Sequence, residues 1–161
     1  MVKTYASAEP STRAITSPRL RGLTIVILVL LTAQFLLGMA VNLFVTIPTN
    51  HPGARPPEYF SGVFQSVKWA VTSPSSPLWL LLHAILGLAL VVFALALLLS
   101  AIIARKGGWI AVAIIGLIGV LGAGFNGGSF LNYNQDFSSM LMAVGFILAM
   151  LTYSLGLARG K

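Results

Sequence analysis

The stretch LWLLLHAILGLALVVFALALLLSAIIA, from Leu78 to Ala104, contains no charged residue, and its one titratable side chain is His83. At a rise of about 1.5 Å per residue it reaches across a hydrocarbon core of about 30 Å. A segment surrounded by hydrocarbon has to satisfy its backbone N–H and C=O groups within itself. A lone strand leaves them unpaired, so the segment must be a helix. Ser76 is placed to cap it, Pro77 suits the first helical position, and RKGG closes it.

Three further segments read the same way: Leu23–Phe44, Trp109–Phe125 or slightly beyond, and Phe137–Ala158, with Asp136 as the expected N-cap of the last. Only 8% of the residues are charged and 57% are hydrophobic, whereas a soluble domain carries about a quarter charged residues. The expected fold is all-α, an integral membrane four-helix bundle. The absence of cysteine excludes disulfides, zinc–thiolate sites and iron–sulfur clusters.

Charge sets the expected orientation. Lys3, Arg13, Arg19 and Arg21 precede the first span, Arg105 and Lys106 join the second to the third, and Arg159 and Lys161 follow the fourth. All of these share one side, leaving Arg55 and Lys68 on the other. The positive-inside rule puts both termini in the cytoplasm of a multi-pass cell-membrane protein. The organisation is then a cytoplasmic tail (1–22), a transmembrane domain (23–158) and a short cytoplasmic C-terminus (159–161). The net charge of +7 is this topology signal, with basic flanks against anionic lipid, and gives no reason to expect nucleic-acid binding. The first span is too long for a signal-peptide core and lacks a small-x-small cleavage site, so it reads as a retained helix.

Two loops fall outside. The second, NGGSFLNYNQD, is rich in turn formers. The first contains YFSGVFQSVKWAV, where Phe60, Val63, Phe64, Val67 and Val71 recur at helical spacing. This predicts a short amphipathic helix on the outer mouth of the bundle, either a lid over a site or a connector resting on lipid. As a lid, it would turn Trp69 and Phe64 inward. His51, among prolines, reads as solvated.

The two halves share short strings. LLGMAVN ends the first span and VLGAGFN the third, aligning Gly38 and Asn42 with Gly122 and Asn126; His83–Ala84 then corresponds to Met142–Ala143. His83 and Met142 fall at similar depths on helices running the same way. Imidazole and thioether form a standard axial pair for a low-spin haem. One turn further along, Gly87 and Gly145 would leave room for a flat macrocycle, a haem b. Alternatively, His83 hydrogen-bonds Gln34 or Asn126 and holds helices together. The acidic residues are Glu9, Glu58 and Asp136, none of them within a span. That argues against a carboxylate proton relay, and no clustered spacing suggests copper.

The four-span plan, the outer loop with Glu58, and the strings LLGMAVN, VLGAGFN and LLLHAILGLAL resemble one half of a haem A synthase. The segment GFNGGSFLNYNQDFSSMLMA also resembles small four-helix bacterial membrane proteins. The first resemblance implies haem ligation by His83. It departs from the family at Met142, where a histidine is usual, and at Ala84, where an arginine is usual. Three functions follow: a b-type haem protein with an electron-transfer or redox role, a non-catalytic accessory subunit of a larger, respiratory-type membrane complex, or an enzyme modifying haem or a quinone-like lipid. The expected partners are the lipid bilayer and other membrane subunits or further copies of the chain.

Overall fold

The computed structural model describes residues 18–159, and these contain five helices and no strand. They are α1 (Pro18–Phe44), α2 (Tyr59–Thr72), α3 (Leu78–Ile103), α4 (Gly107–Tyr133) and α5 (Asp136–Arg159). All except α2 are long and apolar enough to cross a membrane, as a multi-pass membrane protein requires. Residues 1–17, most of the expected tail, lie outside the described residues.

The four long helices form a ring. Helix α1 packs on α3 and α5, and α4 packs on α3 and α5, which leaves α1/α4 and α3/α5 as the diagonals. Neighbours run antiparallel. Gln34 lies against Gly87 and Gly38 against His83, so register advances on α1 as it recedes on α3. Gly116 against Tyr153 and Gly127 against Met142 show the same for α4 and α5. Arg19, Arg21, Arg105, Lys106 and Arg159 therefore gather at one end, the basic end. Arg55 and Lys68 lie at the other, capped by residues 45–77.

Packing is tightest toward the basic end, where Leu20, Ile27, Leu97, Ala113, Ala149 and Tyr153 form one core cluster. Burial of Leu20 explains why α1 begins at Pro18 rather than Leu23; a proline fits the first turn because its missing N–H has no helical partner there. The α4/α5 hairpin is held backbone to backbone. A Cβ on Gly145 would stand 2.7 Å from the Ala123 nitrogen and 2.8 Å from the Gly119 oxygen. Small residues are what permit such an approach.

Three local expectations change. Helix α4 continues through NGGSFLNY to Tyr133, and the turn is confined to the left-handed C-cap Asn134 and Gln135. The glycines that read as turn formers are packing positions: Val63 of α2 seats on Gly128, and the Met142 sulfur on Gly127. The cap of α3 is Pro77, without a side-chain bond, because the Ser76 hydroxyl donates instead to the Ala70 carbonyl (2.8 Å) and ties the two helices together. Asp136 is the first residue of α5 rather than its cap.

Candidate functional site

The one histidine in a long helix, His83, is turned toward α1. Its ring lies over Gly38, where a Cβ would meet Cε1 at 3.1 Å. Gln34 Nε2 donates to His83 Nε2 at 3.3 Å, which places the ring proton on Nδ1. Gln34 in turn covers Gly87, whose Cβ would stand 3.2 Å from the amide nitrogen. Each helix thus offers a polar side chain and, one turn away, a glycine that receives the other's. Of the two hydrogen-bonding expectations for His83, Gln34 is the partner. Asn126 donates to the Gly122 carbonyl of its own helix (2.8 Å).

This clasp is only half satisfied. His83 Nδ1 and Gln34 Oε1 are buried and have no protein partner. Such a group costs about 1–3 kcal/mol, so removing one member should hurt more than removing both. Gln34→Leu or His83→Phe alone is expected to destabilise the bundle. The double replacement should recover part of that loss, with a coupling of about 1 kcal/mol, read from denaturant titration in mixed micelles. Strictly additive losses would show that the two side chains do not act as a pair.

Met142 lies on α5, diagonal to α3, with its sulfur against α4, where a Cβ on Gly127 would stand 3.4 Å from it. The depth correspondence with His83 stands, since each lies opposite a glycine of the adjacent helix. The structural counterpart of Gly38 is therefore Gly127, and not the Gly122 that string matching suggests; around Gly122 a Cβ would meet nothing within 4 Å. The residues offered for a haem b fit it poorly. His83 Nε2 is engaged by Gln34, the ring rests on α1, Gly87 lies under the Gln34 amide, and Gly145 is filled by α4 backbone. No group of three or more metal-ligating side chains occurs among the described residues.

The cap holds the second polar constellation, which sequence reasoning missed. His51 is buried rather than solvated, with 6% of its surface exposed. Its ring stacks on Trp69 at 4.4 Å and 16°. Nδ1 faces the Pro52 carbonyl at 2.8 Å and Nε2 the Leu131 carbonyl at 3.1 Å. Both partners are acceptors, so both contacts are hydrogen bonds only for the doubly protonated ring, a cation suited to an indole face. A cleft of ≈ 350 Å³ opens beside this stack, edged by Asn50, Ser73 and Ser75.

Next to it, Asn132 is 2% exposed. With its amide turned to suit its neighbours, Nδ2 faces Ser66 Oγ (2.6 Å) and the carbonyls of Gly62, Gly53 and Gly128, while Oδ1 accepts from the Val63 N–H (3.1 Å). Its own carbonyl accepts from Arg55 N–H (2.9 Å). Asn132 thus joins α4, α2 and the loop before α2. Glu58, the acidic residue of the haem A synthase likeness, is the N-cap of α2, accepting from Phe60 N–H (3.0 Å) and Ser61 N–H (2.6 Å). The available signal was Gly62, Ser66 and Ala70, small residues at helical spacing that mark a closely packed face.

No protein-family model, curated protein or solved structure matches the chain. The likeness to half of a haem A synthase accordingly rests on its short helix-end strings alone.

Proposed function

We propose that the chain is a non-catalytic subunit of a larger membrane assembly, with both termini cytoplasmic and the α2 cap outside. The observation that carries this reading is the engagement of His83 by Gln34 over Gly38. It makes the buried imidazole part of helix packing. The docking surface is the outward side of α4 at Gly122 and Gly124, where a Cβ would meet nothing within 4 Å; bare helix backbone of this kind admits a partner helix closely. The orientation is supported by the five arginines and lysines at the basic end of the described chain, against Arg55 and Lys68 at the capped end.

Affinity-tagged protein extracted in mild detergent is expected to carry a stoichiometric membrane partner. Gly122→Leu should strip that partner without changing the stability of the chain itself. Isolation as a lone monomer by wild type and variant alike would sink the proposal. Single cysteines at Ser61 and Asn134 should label with an impermeant reagent in intact cells, and one at Ser7 should not.

A second reading, a b-type haem protein with a redox role, draws on the matching depths of His83 and Met142 and on the unpartnered His83 Nδ1. It requires Gln34 to release Nε2. Protein prepared with haem available is expected to be colourless; a Soret band that His83→Ala removes and Met142→Leu alters would establish the haem reading instead.

A further inference from the structure

Successive residues of a helix step by about 100°, and on that wheel α2 divides into three stripes rather than two. Gly62, Val63, Ser66, Trp69 and Ala70 are buried, and α2 packs on α4 and α3. Phe60 and Phe64, with Val67 and Val71 in line, form an apolar stripe in which the two phenylalanines are 58% and 65% exposed. Ser61, Gln65, Lys68 and Thr72 form a third stripe, polar and exposed. A helix lying between protein and water needs only two faces. A third, apolar and facing away from the protein, calls for a third medium.

We propose that α2 lies in the membrane–water interface, with the Phe60–Phe64 stripe among the acyl chains of the leaflet at the capped end. The proposal rests on the four long helices spanning a membrane, and not on the subunit reading above. Its occupant is indicated by continuity with the spanning surface. Phe60 and Phe64 both meet Phe125 of α4 edge to face, with ring centroids 6.4 Å apart in each case. Phe125 is itself part-exposed on a spanning helix, about 12 Å below the Tyr133 end at 1.5 Å per residue. Exposed Tyr59, Trp79, Tyr133 and Phe137 lie at the capped ends of their helices, where aromatic side chains mark the headgroup level. The depth of α2 is set from the protein side by Val63 on Gly128, within the length of α4 rather than beyond it. Lys68, on the polar stripe, is placed to reach lipid phosphates with its stem along the apolar surface. Both Glu58 oxygens are used by the helix cap, so that carboxylate turns no free oxygen toward the same phosphates.

The chain has no cysteine, so a nitroxide can be attached to single cysteines at Phe60, Ser61, Phe64 and Gln65 in the full chain. The labelled proteins, in phosphatidylcholine vesicles, are then relaxed with oxygen, which partitions into acyl chains, or with a water-soluble nickel chelate. Labels at 60 and 64 should respond several-fold more to oxygen than to nickel, and labels at 61 and 65 the reverse. Equal nickel access at all four positions would put the stripe in water and overturn the proposal. Shielding of 60 and 64 from both reagents, with spin–spin broadening between molecules, would show a second copy of the chain on the stripe and overturn it equally. All four positions are exposed, so the substitutions remove no core contact.

Discussion

Gly145→Leu is expected to abolish the α4/α5 hairpin, and Gly119→Leu to do the same, while Gly122→Leu leaves stability within about 0.5 kcal/mol of wild type. The contrast follows from what each new Cβ would meet. At Gly145 it meets the Ala123 nitrogen at 2.7 Å, and at Gly119 the Ala149 nitrogen and Gly145 oxygen, both at 2.7 Å. These are backbone atoms of a neighbouring helix and have no rotamer by which to move aside. Overpacking a core costs about 1–3 kcal/mol when side chains can adjust. Here two helices must separate, so the loss is expected to exceed about 3 kcal/mol and to carry the Tyr153–Gly116 and Gly156–Val112 contacts with it. Denaturant titration in mixed micelles, with helicity as readout, distinguishes the three variants. A Gly145→Leu protein as stable as Gly122→Leu would mean that α4 and α5 do not approach as described.

Asn132→Leu is expected to release the cap while leaving the bundle intact. Leucine nearly matches asparagine in shape but cannot accept from Val63 N–H or donate to Ser66 and the surrounding glycine carbonyls. Several buried polar groups would be stranded at once, at about 1–3 kcal/mol each where water cannot reach them. A loss of about 3 kcal/mol or more, local to residues 51–72, is expected, with faster amide exchange there and a changed Trp69 signal as its stack with His51 opens. The core at the basic end shares no residue with this network, so exchange in α5 near Tyr153 should stay slow. Uniform acceleration through the whole chain would show instead that cap and bundle unfold as one unit.

Glycine could be read in two ways in this sequence, and the choice was not local. In NGGSFLNYNQD the residues alone favour a turn. Gly127 and Gly128 stay helical because Met142 and Val63 occupy the space that their missing side chains leave. The periodicity of Phe60, Phe64, Val67 and Val71 was real, but it marks the outward apolar stripe of α2. The protein-facing stripe, built on Gly62, Ser66 and Ala70, carries little hydrophobic signal. Two faces can both exclude water, one against protein and one as a free apolar surface, and a hydropathy pattern does not tell them apart. His51 was misread for a related reason: a histidine among prolines is solvated unless a distant carbonyl, here that of Leu131, folds over it.

Sequence by itself determined the four long helices and the gathering of arginines and lysines at one end. Length, apolarity and the cost of unpaired backbone in hydrocarbon act residue by residue, independent of which helix neighbours which. Tertiary structure alone decided which glycine receives which side chain, that His83 meets Gln34, and that Asn132 anchors the cap. Those outcomes depend on the rotation and register of one helix against another, quantities a strongly apolar helix leaves open because nearly all its faces look alike.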